Sequence, residues 1–356
     1  MRIYPKKHLL ELNRVVNESL DRNEFLRMDK NENLEGFPKE TIQEIRKIIT
    51  SEFLTAYPEV EPLYKKLAKC LDVEQKQIYL TSGSDAGIKS VFEVFVEPGD
   101  EVIIIHPTYA MYYVYSKMFQ ARLIQVNFDE KLNLTPEKII EKISSKTKLV
   151  CIANPNSPTG TVFSIKNLES VIFAASKNGS VVLIDEAYHQ FWGYSLVNRT
   201  KDFDNLIVTR TFSKALGLAS VRLGYIVSNS EIVSYLHRVR PMYEVNAFAV
   251  ELGLYLLDNS HLVDRYVNAV AEARKWLEGE LSQLGFNTEP GYANFILIDV
   301  GDNETAKEIE EELFKEKIII KGGFAYTCME KHIRVGLGTL EQMQTFLHKF
   351  RKVVKL

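Results

Sequence analysis

Short apolar runs alternate with helical segments through most of this 356-residue chain. The strand-like runs lie at 77–82, 101–105, 122–126, 148–153, 180–185 and 205–209. Runs of this length, separated by helical segments, indicate βαβ units and a mostly parallel sheet sandwiched by helices. Ligands of such sheets bind beyond the carboxyl ends of the strands. The alternation therefore predicts an α/β fold and the edge of the sheet at which a site should lie.

The pattern changes after residue 245. Long charged helical stretches are followed there by three strand-like runs, at 293–299, 317–321 and 332–336. This change predicts a smaller α+β domain built from both termini. We expect an N-terminal segment that joins the small domain, a large domain that carries the site, and the small domain itself, at 1–40, 41–245 and 246–356. The pattern Thr41-Ile-Gln-Glu44 resembles a capping box, so a helix is expected to begin near Thr41.

Composition and charge exclude several classes of function. A hydrophobic content of 46% and a charged content of 26% are ordinary for a soluble globular protein. The net charge of −3 argues against a general nucleic-acid binder, and no apolar stretch is long enough to span a membrane. The three cysteines lie far apart and the seven histidines show no ligand spacing, so we expect no metal. A cytoplasmic protein is predicted.

Two residues at neighbouring strand ends have complementary chemistry. Lys214 lies on the connection that follows the run at 205–209, and Asp185 ends the run at 180–185. A lysine among apolar neighbours can become nucleophilic towards a carbonyl group. An aspartate at that strand end can pair with a protonated ring nitrogen. These are the two contacts that a pyridoxal cofactor needs.

A phosphate group would need partners as well, and the sequence offers them. Residues 83–85 connect a strand to a helix, so their backbone N–H groups can form an anion site. Arg222 can add a bidentate cation, and Tyr109 can stack on a ring. Each residue also has a simpler explanation, as a turn, an ion pair or a core aromatic. Their positions at successive strand ends of one sheet favour a site.

Four segments together resemble the fold-type-I pyridoxal-phosphate (PLP) aminotransferases, and they lie at 154–160, 185–188, 211–214 and 219–225. Within that family the chain is similar to the histidinol-phosphate aminotransferase branch. The segments typical of that branch lie at 31–33, 57–58, 83–85, 107–109 and 333–336. The likeness covers nearly the whole chain in collinear order. It implies PLP as cofactor, residues 41–245 as the PLP-binding domain, and a homodimer with shared active sites.

The resemblance implies a role for each matching residue. Lys214 would form the Schiff base with the cofactor, Asp185 would pair with the pyridine nitrogen, and Tyr188 would hydrogen-bond the ring hydroxyl. Tyr109 would stack on the ring, and Arg334 would bind the α-carboxylate of the amino donor. The residues expected around the phosphate are Gly83, Ser84, Asp85, Thr211, Ser213 and Arg222, with Tyr57 reaching it from the partner subunit.

Some positions depart from the family's pattern. The asparagine that usually precedes Pro-Thr-Gly is Ser157 here; Asn156 is expected to contact the ring hydroxyl instead, with Ser157 and Asn154 as alternatives. Where the branch has an arginine for the substrate phosphate, this chain has Lys321, which offers a point charge without the bidentate fork. Asn33 is also expected in the substrate site. The branch's N-terminal substrate-binding pattern is not visible around 12–20.

The leading hypothesis is a PLP-dependent aminotransferase that uses glutamate as donor and a small, phosphorylated carbonyl compound as acceptor. Imidazole acetol phosphate and dihydroxyacetone phosphate are such acceptors. The alternative is a PLP-dependent decarboxylase of an amino-acid phosphate such as threonine phosphate, and a less favoured one is a non-catalytic binding protein on this fold. A dinucleotide enzyme is disfavoured because no Gly-x-Gly-x-x-Gly follows an early strand.

Overall fold

The computed structural model describes residues 4–12 and 20–355. The strands of this part of the chain are β1 (Leu26–Arg27), β2 (Ile78–Thr81), β3 (Glu101–His106), β4 (Arg122–Asn127), β5 (Thr147–Ala153), β6 (Val181–Asp185), β7 (Leu206–Thr211), β8 (Gly224–Val227), β9 (Asn287–Glu289), β10 (Phe295–Asp299), β11 (Ile318–Ile319) and β12 (His332–Gly336).

The α-helices of the same part are α1 (Lys39–Ile48), α2 (Ser51–Thr55), α3 (Glu61–Leu71), α4 (Ser84–Phe95), α5 (Ala110–Met118), α6 (Pro136–Ile140), α7 (Ile165–Ser176), α8 (His189–Trp192), α9 (Ser230–Leu236), α10 (Ala247–Asp258), α11 (His261–Gln283), α12 (Asn303–Lys315) and α13 (Leu340–Val353). None of these helices is both long and apolar enough to cross a membrane.

Seven strands form the main sheet, in the order β2-β8-β7-β6-β5-β3-β4. The strands from β4 to β7 pair in parallel, whereas β8 runs antiparallel to both β7 and β2. The predicted α/β class with a mostly parallel sheet is confirmed. At the end of β6, Asp185 is paired with Ala153 on one side and Thr209 on the other. The carboxyl ends of three neighbouring strands therefore meet at one edge.

The main sheet is buried on both faces. Along β5, Leu149 and Cys151 pack with α4, α5 and α9, whereas Val150 and Ile152 pack with α3, α7 and α10. The two sets separate because successive side chains of a strand point to opposite faces. Burial on both sides explains why the strands read as continuous apolar runs in the sequence. The sheet is thus a rigid support for the loops at its carboxyl edge.

A smaller layer contains the antiparallel sheet β12-β10-β9 and helices α11, α12 and α13. Strand β1 pairs in parallel with β11, and the fully buried Met28 packs in the core of this layer. Helix α10, by contrast, buries Ala249 and Val250 in the core of the main sheet and packs against α3. The division into 1–40, 41–245 and 246–356 stays a prediction; it assigns α10 to the small domain, although α10 packs on the main sheet.

A helix starts near Thr41, as predicted, but the capping box predicted at Thr41 is wrong. Helix α1 begins at Lys39, Pro38 is its N-cap, and no side chain caps it. Thr41 lies inside the helix and is buried, so its hydroxyl does not cap the first turn. The extended backbone of Pro38, fixed in φ by its ring, is enough to end the preceding loop and start the helix.

Candidate active site

A cavity of about 490 Å³ lies at the carboxyl edge of the main sheet, between it and the smaller layer. Most of the predicted site residues line it, namely Ser84, Asp85, Tyr109, Asp185, Tyr188, Thr211, Ser213, Lys214, Arg222, Lys321 and Arg334. They come from loops after four strands of the main sheet and from two segments of the smaller layer. The fold therefore brings together residues that are separated by as much as 250 positions in the sequence, as between Ser84 and Arg334 (334 − 84).

One end of the cavity is built to hold an anion. Gly83 has φ +80°, and a Cβ atom there would lie 2.5 Å from Nη2 of Arg222. Helix α4 begins at the next residue, so its free N–H groups face the same end. Nη1 of Arg222 donates to Oγ of Ser213 (3.4 Å), whose backbone N–H donates to Oγ1 of Thr211 (3.1 Å). A phosphate group fits this combination of helix N-terminus, guanidinium and hydroxyls.

Asp185 also lines the cavity and is almost fully buried. Its Oδ2 accepts a hydrogen bond from the Tyr112 hydroxyl (3.2 Å), and its Oδ1 accepts one from the Ala187 backbone N–H (3.1 Å). Burial nevertheless raises the pKa of Asp185 to about 6. A carboxylate buried in this way favours a cationic partner, and a protonated pyridine nitrogen is such a partner.

Lys214 and Tyr188 both line the cavity and lie next to each other. Nζ of Lys214 donates to the backbone oxygen of Lys30 (2.8 Å) and lies 5.5 Å from the centre of the Tyr188 ring. The Tyr188 hydroxyl accepts a hydrogen bond from Nδ2 of Asn31 (2.8 Å). Burial alone would raise the pKa of Tyr188, but the Lys214 charge and the Asn31 donor outweigh it and lower that pKa. Lysine and phenol are therefore both close enough to act on one ring.

Arg334 approaches the cavity from the smaller layer. Its Nη2 donates to the backbone oxygen of Asp29 (2.5 Å) and its Nη1 to Oγ of Ser157 (3.3 Å). Its Nε is buried and has no hydrogen-bond partner among the described residues. Burial lowers the pKa of this guanidinium, since the positive charge is partly desolvated. A carboxylate in the cavity would satisfy both the charge and the free donor.

Tyr109 lines the cavity and could stack on a flat ring bound there. It is the N-cap of α5, and its hydroxyl donates to Oδ1 of Asp85 (3.3 Å). Its ring packs edge-on against Tyr112, which also binds Asp185. Burial raises the pKa of Tyr109, so the phenol stays neutral. The position agrees with the expected stacking role, which stays a prediction.

The structure places Asn156 outside the cavity lining. Its Oδ1 accepts a hydrogen bond from the Thr108 hydroxyl (2.7 Å), and its Nδ2 donates to Pro107 O (3.0 Å) and Thr159 Oγ1 (2.7 Å). Both ends of the amide are thus occupied within the loop, which leaves no donor for a ring hydroxyl. Ser157, one of the alternatives, does line the cavity.

Asn33 and Tyr57 also lie away from this cavity. The side-chain oxygen of Asn33 accepts hydrogen bonds from the backbone N–H groups of Glu35 and Gly36 (both 3.0 Å), so it stabilises a turn. Tyr57 is 72% exposed and stacks on Tyr243 with ring centres 4.1 Å apart. A contact with the site of a partner subunit stays a prediction for Tyr57. The substrate-binding pattern sought around 12–20 lies mostly outside the described residues.

Sequence reasoning missed Asn31, which lines the cavity and binds Tyr188. The segment at 31–33 was singled out, but its two asparagines carry the same chemistry, so only the backbone decides which one faces the cavity. Two aromatic residues of the smaller layer, Phe324 and Tyr326, were missed as well. Their only sequence signal is their position shortly after Lys321.

The sequence matches a known protein family. The sequence model of the family described as aminotransferase class I and II matches residues 23–350. The chain belongs to this family. The aminotransferase is 34% identical to a histidinol-phosphate aminotransferase of Caldanaerobacter subterraneus subsp. tengcongensis, over 92% of this chain and 93% of that protein. A histidinol-phosphate aminotransferase of Methanocaldococcus jannaschii is 31% identical, over 93% and 90% of the two chains.

Solved structures agree with the fold of this aminotransferase. Histidinol-phosphate aminotransferase from Sinorhizobium meliloti, in complex with pyridoxal-5'-phosphate, superposes with a TM-score of 0.89 at 22% identity, over 98% of this chain and 97% of that one. The enzyme from Clostridium acetobutylicum gives 0.82 at 24% identity, over 93% and 100%. The predicted family, fold and cofactor are confirmed: the chain is a PLP-dependent aminotransferase of the histidinol-phosphate aminotransferase type.

The residues present fit PLP. The absence of a side chain at Gly83 lets the Arg222 guanidinium lie beside the start of α4, where a phosphate can bind. Buried Asp185 offers the negative charge that a pyridinium nitrogen needs. Lys214 is the amine within the same cavity. We expect these residues to hold the phosphate, the ring nitrogen and the aldehyde carbon of the cofactor, in that order.

Proposed function

We propose that this aminotransferase moves the amino group of glutamate to a small phosphorylated ketone, with imidazole acetol phosphate as the first candidate. The observation that carries the proposal is the pairing of Lys321 with Arg334, which exchange backbone hydrogen bonds (3.1 and 2.7 Å) while both line the cavity. Two cations side by side suit a donor with two carboxylates and also an acceptor with a phosphate. One site can thereby serve both halves of the reaction.

Lys321 is available for a substrate anion. Its side chain is 49% exposed, and Glu310 is its ion-pair partner at 3.5 Å. An exposed pair at that distance contributes little, about 0 to 1 kcal/mol. A phosphate dianion carries more charge than Glu310 and can displace it. The Glu310 carboxylate also accepts the Gly322 backbone N–H (3.0 Å), so it stays in place when the lysine leaves.

The aromatic wall favours an acceptor with a flat ring. Phe324 and Tyr326 line the cavity from the segment that follows Lys321. The Tyr326 ring packs edge-on against His106, with ring centres 5.2 Å apart. Such a wall supports imidazole acetol phosphate over dihydroxyacetone phosphate, which has no ring to pack against it.

The residues of this chain would divide the chemistry between them. Bound PLP withdraws electrons from the substrate's α-carbon and so makes its proton acidic. Nζ of Lys214 would take that proton and deliver it elsewhere in the same cavity, as a general base and then a general acid. Arg334 would hold the α-carboxylate in one orientation throughout, which keeps the proton within reach of the lysine.

The proposal includes a cytoplasmic homodimer. Tyr57 and Tyr243 form a stacked and exposed pair, and the neighbouring Leu54 and Met242 are 61% and 83% exposed. A contiguous apolar surface of this kind favours a protein interface. In the proposed dimer Tyr57 reaches the phosphate end of the partner's cavity. A monomeric mass in solution at micromolar concentration would contradict this part of the proposal.

A substrate panel tests the proposed reaction. The PLP-loaded protein is mixed with glutamate and a series of ketones, phosphorylated and unphosphorylated, and the release of 2-oxoglutarate is measured. We expect turnover with phosphorylated ketones and kcat/KM at least tenfold lower for their unphosphorylated counterparts. Equal values for the two series would overturn the proposed phosphate preference. Release of carbon dioxide from amino-acid phosphates without consumption of a keto acid would identify the decarboxylase instead, which the names of the relatives do not favour.

A further inference from the structure

A short segment at 28–33 contacts three side chains of the cavity, those of Lys214, Arg334 and Tyr188. Its Lys30 backbone oxygen accepts the Lys214 ammonium group, and its Asp29 backbone oxygen accepts the Arg334 guanidinium. Its third contact differs in kind, because Asn31 uses its side chain and donates to the Tyr188 hydroxyl. Asn31 can therefore change the chemistry of Tyr188, whereas a backbone oxygen only anchors its partner.

Asn31 is held firmly in the position that makes this contact. Its backbone has φ +56°, a left-handed conformation that asparagine tolerates better than most residues. It is 3% exposed, and its backbone oxygen accepts a hydrogen bond from Nδ2 of Asn294 (3.1 Å). Asn294 is fully buried in the smaller layer, where its own backbone oxygen accepts the Leu337 N–H (2.8 Å). The smaller layer thus fixes the backbone from which the Asn31 side chain reaches Tyr188.

The direction of the hydrogen bond between Asn31 and Tyr188 determines what the Tyr188 hydroxyl can donate to. Because the Tyr188 oxygen accepts from Asn31, its own hydrogen is free to be donated to another acceptor. A phenol that accepts one hydrogen bond becomes a stronger donor in the next. The Ser157 hydroxyl accepts a hydrogen bond from Arg334 and is itself hydrogen-bonded to Tyr188, and the Asn156 amide is occupied elsewhere. Tyr188 is therefore the side chain on which a ring hydroxyl in this cavity depends most.

We propose that Asn31 is a positioning residue that strengthens the hydrogen bond from Tyr188 to the ring hydroxyl of PLP. This inference rests on the proposed function and on the role that the family resemblance implies for Tyr188, a hydrogen bond to the ring hydroxyl. A strong donor withdraws negative charge from the ring oxygen. The proton on the Lys214 nitrogen beside that oxygen is then bound less tightly. Loss of the Asn31 amide weakens the donor and reverses this effect.

The test follows the visible absorption band of the PLP-loaded enzyme as a function of pH. The variant is Asn31→Gly, since glycine accepts φ +56° without strain. We expect the pH midpoint of the band to move upward by about half a unit, the size of one net hydrogen bond. The same substitution is made in a Tyr188→Phe background, where we expect it to cause no further shift. Cofactor occupancy is measured separately by release of PLP in alkali.

Each outcome decides the matter. An unchanged midpoint at full occupancy, or an equal shift in the Tyr188→Phe background, would overturn the inference. If Asn31→Gly fails to bind PLP, Asn31→Asp is used; it keeps the shape of the side chain and removes the donor, and its shift must be larger with Tyr188 present than with phenylalanine. A wild-type enzyme without any visible band would refute the cofactor chemistry of the proposed function, whereas a titrating wild type with an unaffected variant refutes the role of Asn31 alone.

Discussion

Gly83 lies against Arg222 so closely that a Cβ atom on the glycine would be 2.5 Å from Nη2 of the guanidinium. The two residues are 139 positions apart in the sequence (222 − 83) and lie beside the neighbouring ends of the paired strands β2 and β8. Because Gly83 has no side chain, the arginine can approach the start of α4. The contact therefore defines where a phosphate can bind.

Gly83→Ala should weaken PLP binding at least tenfold. The new methyl group displaces Arg222, and the backbone conformation of Gly83 is strained for alanine by about 1 to 3 kcal/mol. The PLP dissociation constant and the thermal stability are measured together. Gly99→Ala is the matched control, since Gly99 also has positive φ (+94°) but has open space around it. Loss of stability in both variants with equal PLP affinity would contradict the role of the contact.

Lys214→Ala should abolish transamination, with a loss in kcat of about a thousandfold or more, because the variant lacks both the Schiff-base amine and the proton carrier. The visible band of bound PLP should change to that of the free aldehyde. Lys177→Ala serves as control, since Lys177 is an exposed lysine that contacts Phe173 far from the cavity. Full turnover by Lys214→Ala would exclude the assigned chemistry.

Lys321→Ala should raise KM for a phosphorylated acceptor about tenfold, the effect of losing one charge-assisted hydrogen bond. Its KM for the unphosphorylated ketone should change little. The backbone pairing with Arg334 does not depend on the side chain, so the fold should be kept. Lys321→Arg should bind the phosphate at least as well, and Lys315→Ala, an exposed lysine on α12, should leave both constants unchanged. Parallel increases for both ketones would count against a phosphate contact.

Asp185→Asn should reveal a pH dependence of stability. In the protein without PLP, the raised pKa of Asp185, about 6, means that folding favours the protonated carboxyl. This stabilisation is fully present below the unfolded pKa of about 4 and is lost as the pH rises through about 6. The unfolding free energy of Asp185→Asn relative to wild type should therefore grow by about 2 to 3 kcal/mol between pH 4 and pH 8. Urea titrations across this range measure it.

Urea titrations in the presence of PLP test whether the cofactor balances the Asp185 charge. Saturating PLP should remove most of the pH-dependent difference, since the pyridinium nitrogen then balances the Asp185 charge. Glu130→Gln, which changes an exposed loop carboxylate, should show no comparable trend. A flat difference between Asp185→Asn and wild type without PLP would show that the buried carboxyl is not destabilised by its charge.

The local pattern of the sequence was sufficient for the fold and the cofactor. Continuous apolar runs between helical segments determine a parallel sheet, because only strands buried on both faces carry apolar residues at successive positions. Parallel strands share a carboxyl edge, and so Asp185 and Lys214 could be placed together without coordinates. Gly83 followed from the same argument, whereas Arg222, which precedes the antiparallel strand β8, was chosen for its bidentate charge. The placement of these residues follows from strand direction and side-chain chemistry, both of which can be inferred from short segments of the sequence.

Only the tertiary structure decided between residues of like chemistry. Asn31 and Asn33 are two positions apart, and the left-handed backbone of Asn31 directs one amide to Tyr188 while the other caps a turn. Asn156 was the favoured donor to the ring hydroxyl, but Thr108, Pro107 and Thr159 occupy its amide. Which of several equivalent groups faces a cavity depends on long-range packing that fixes each backbone, and no local pattern carries that information.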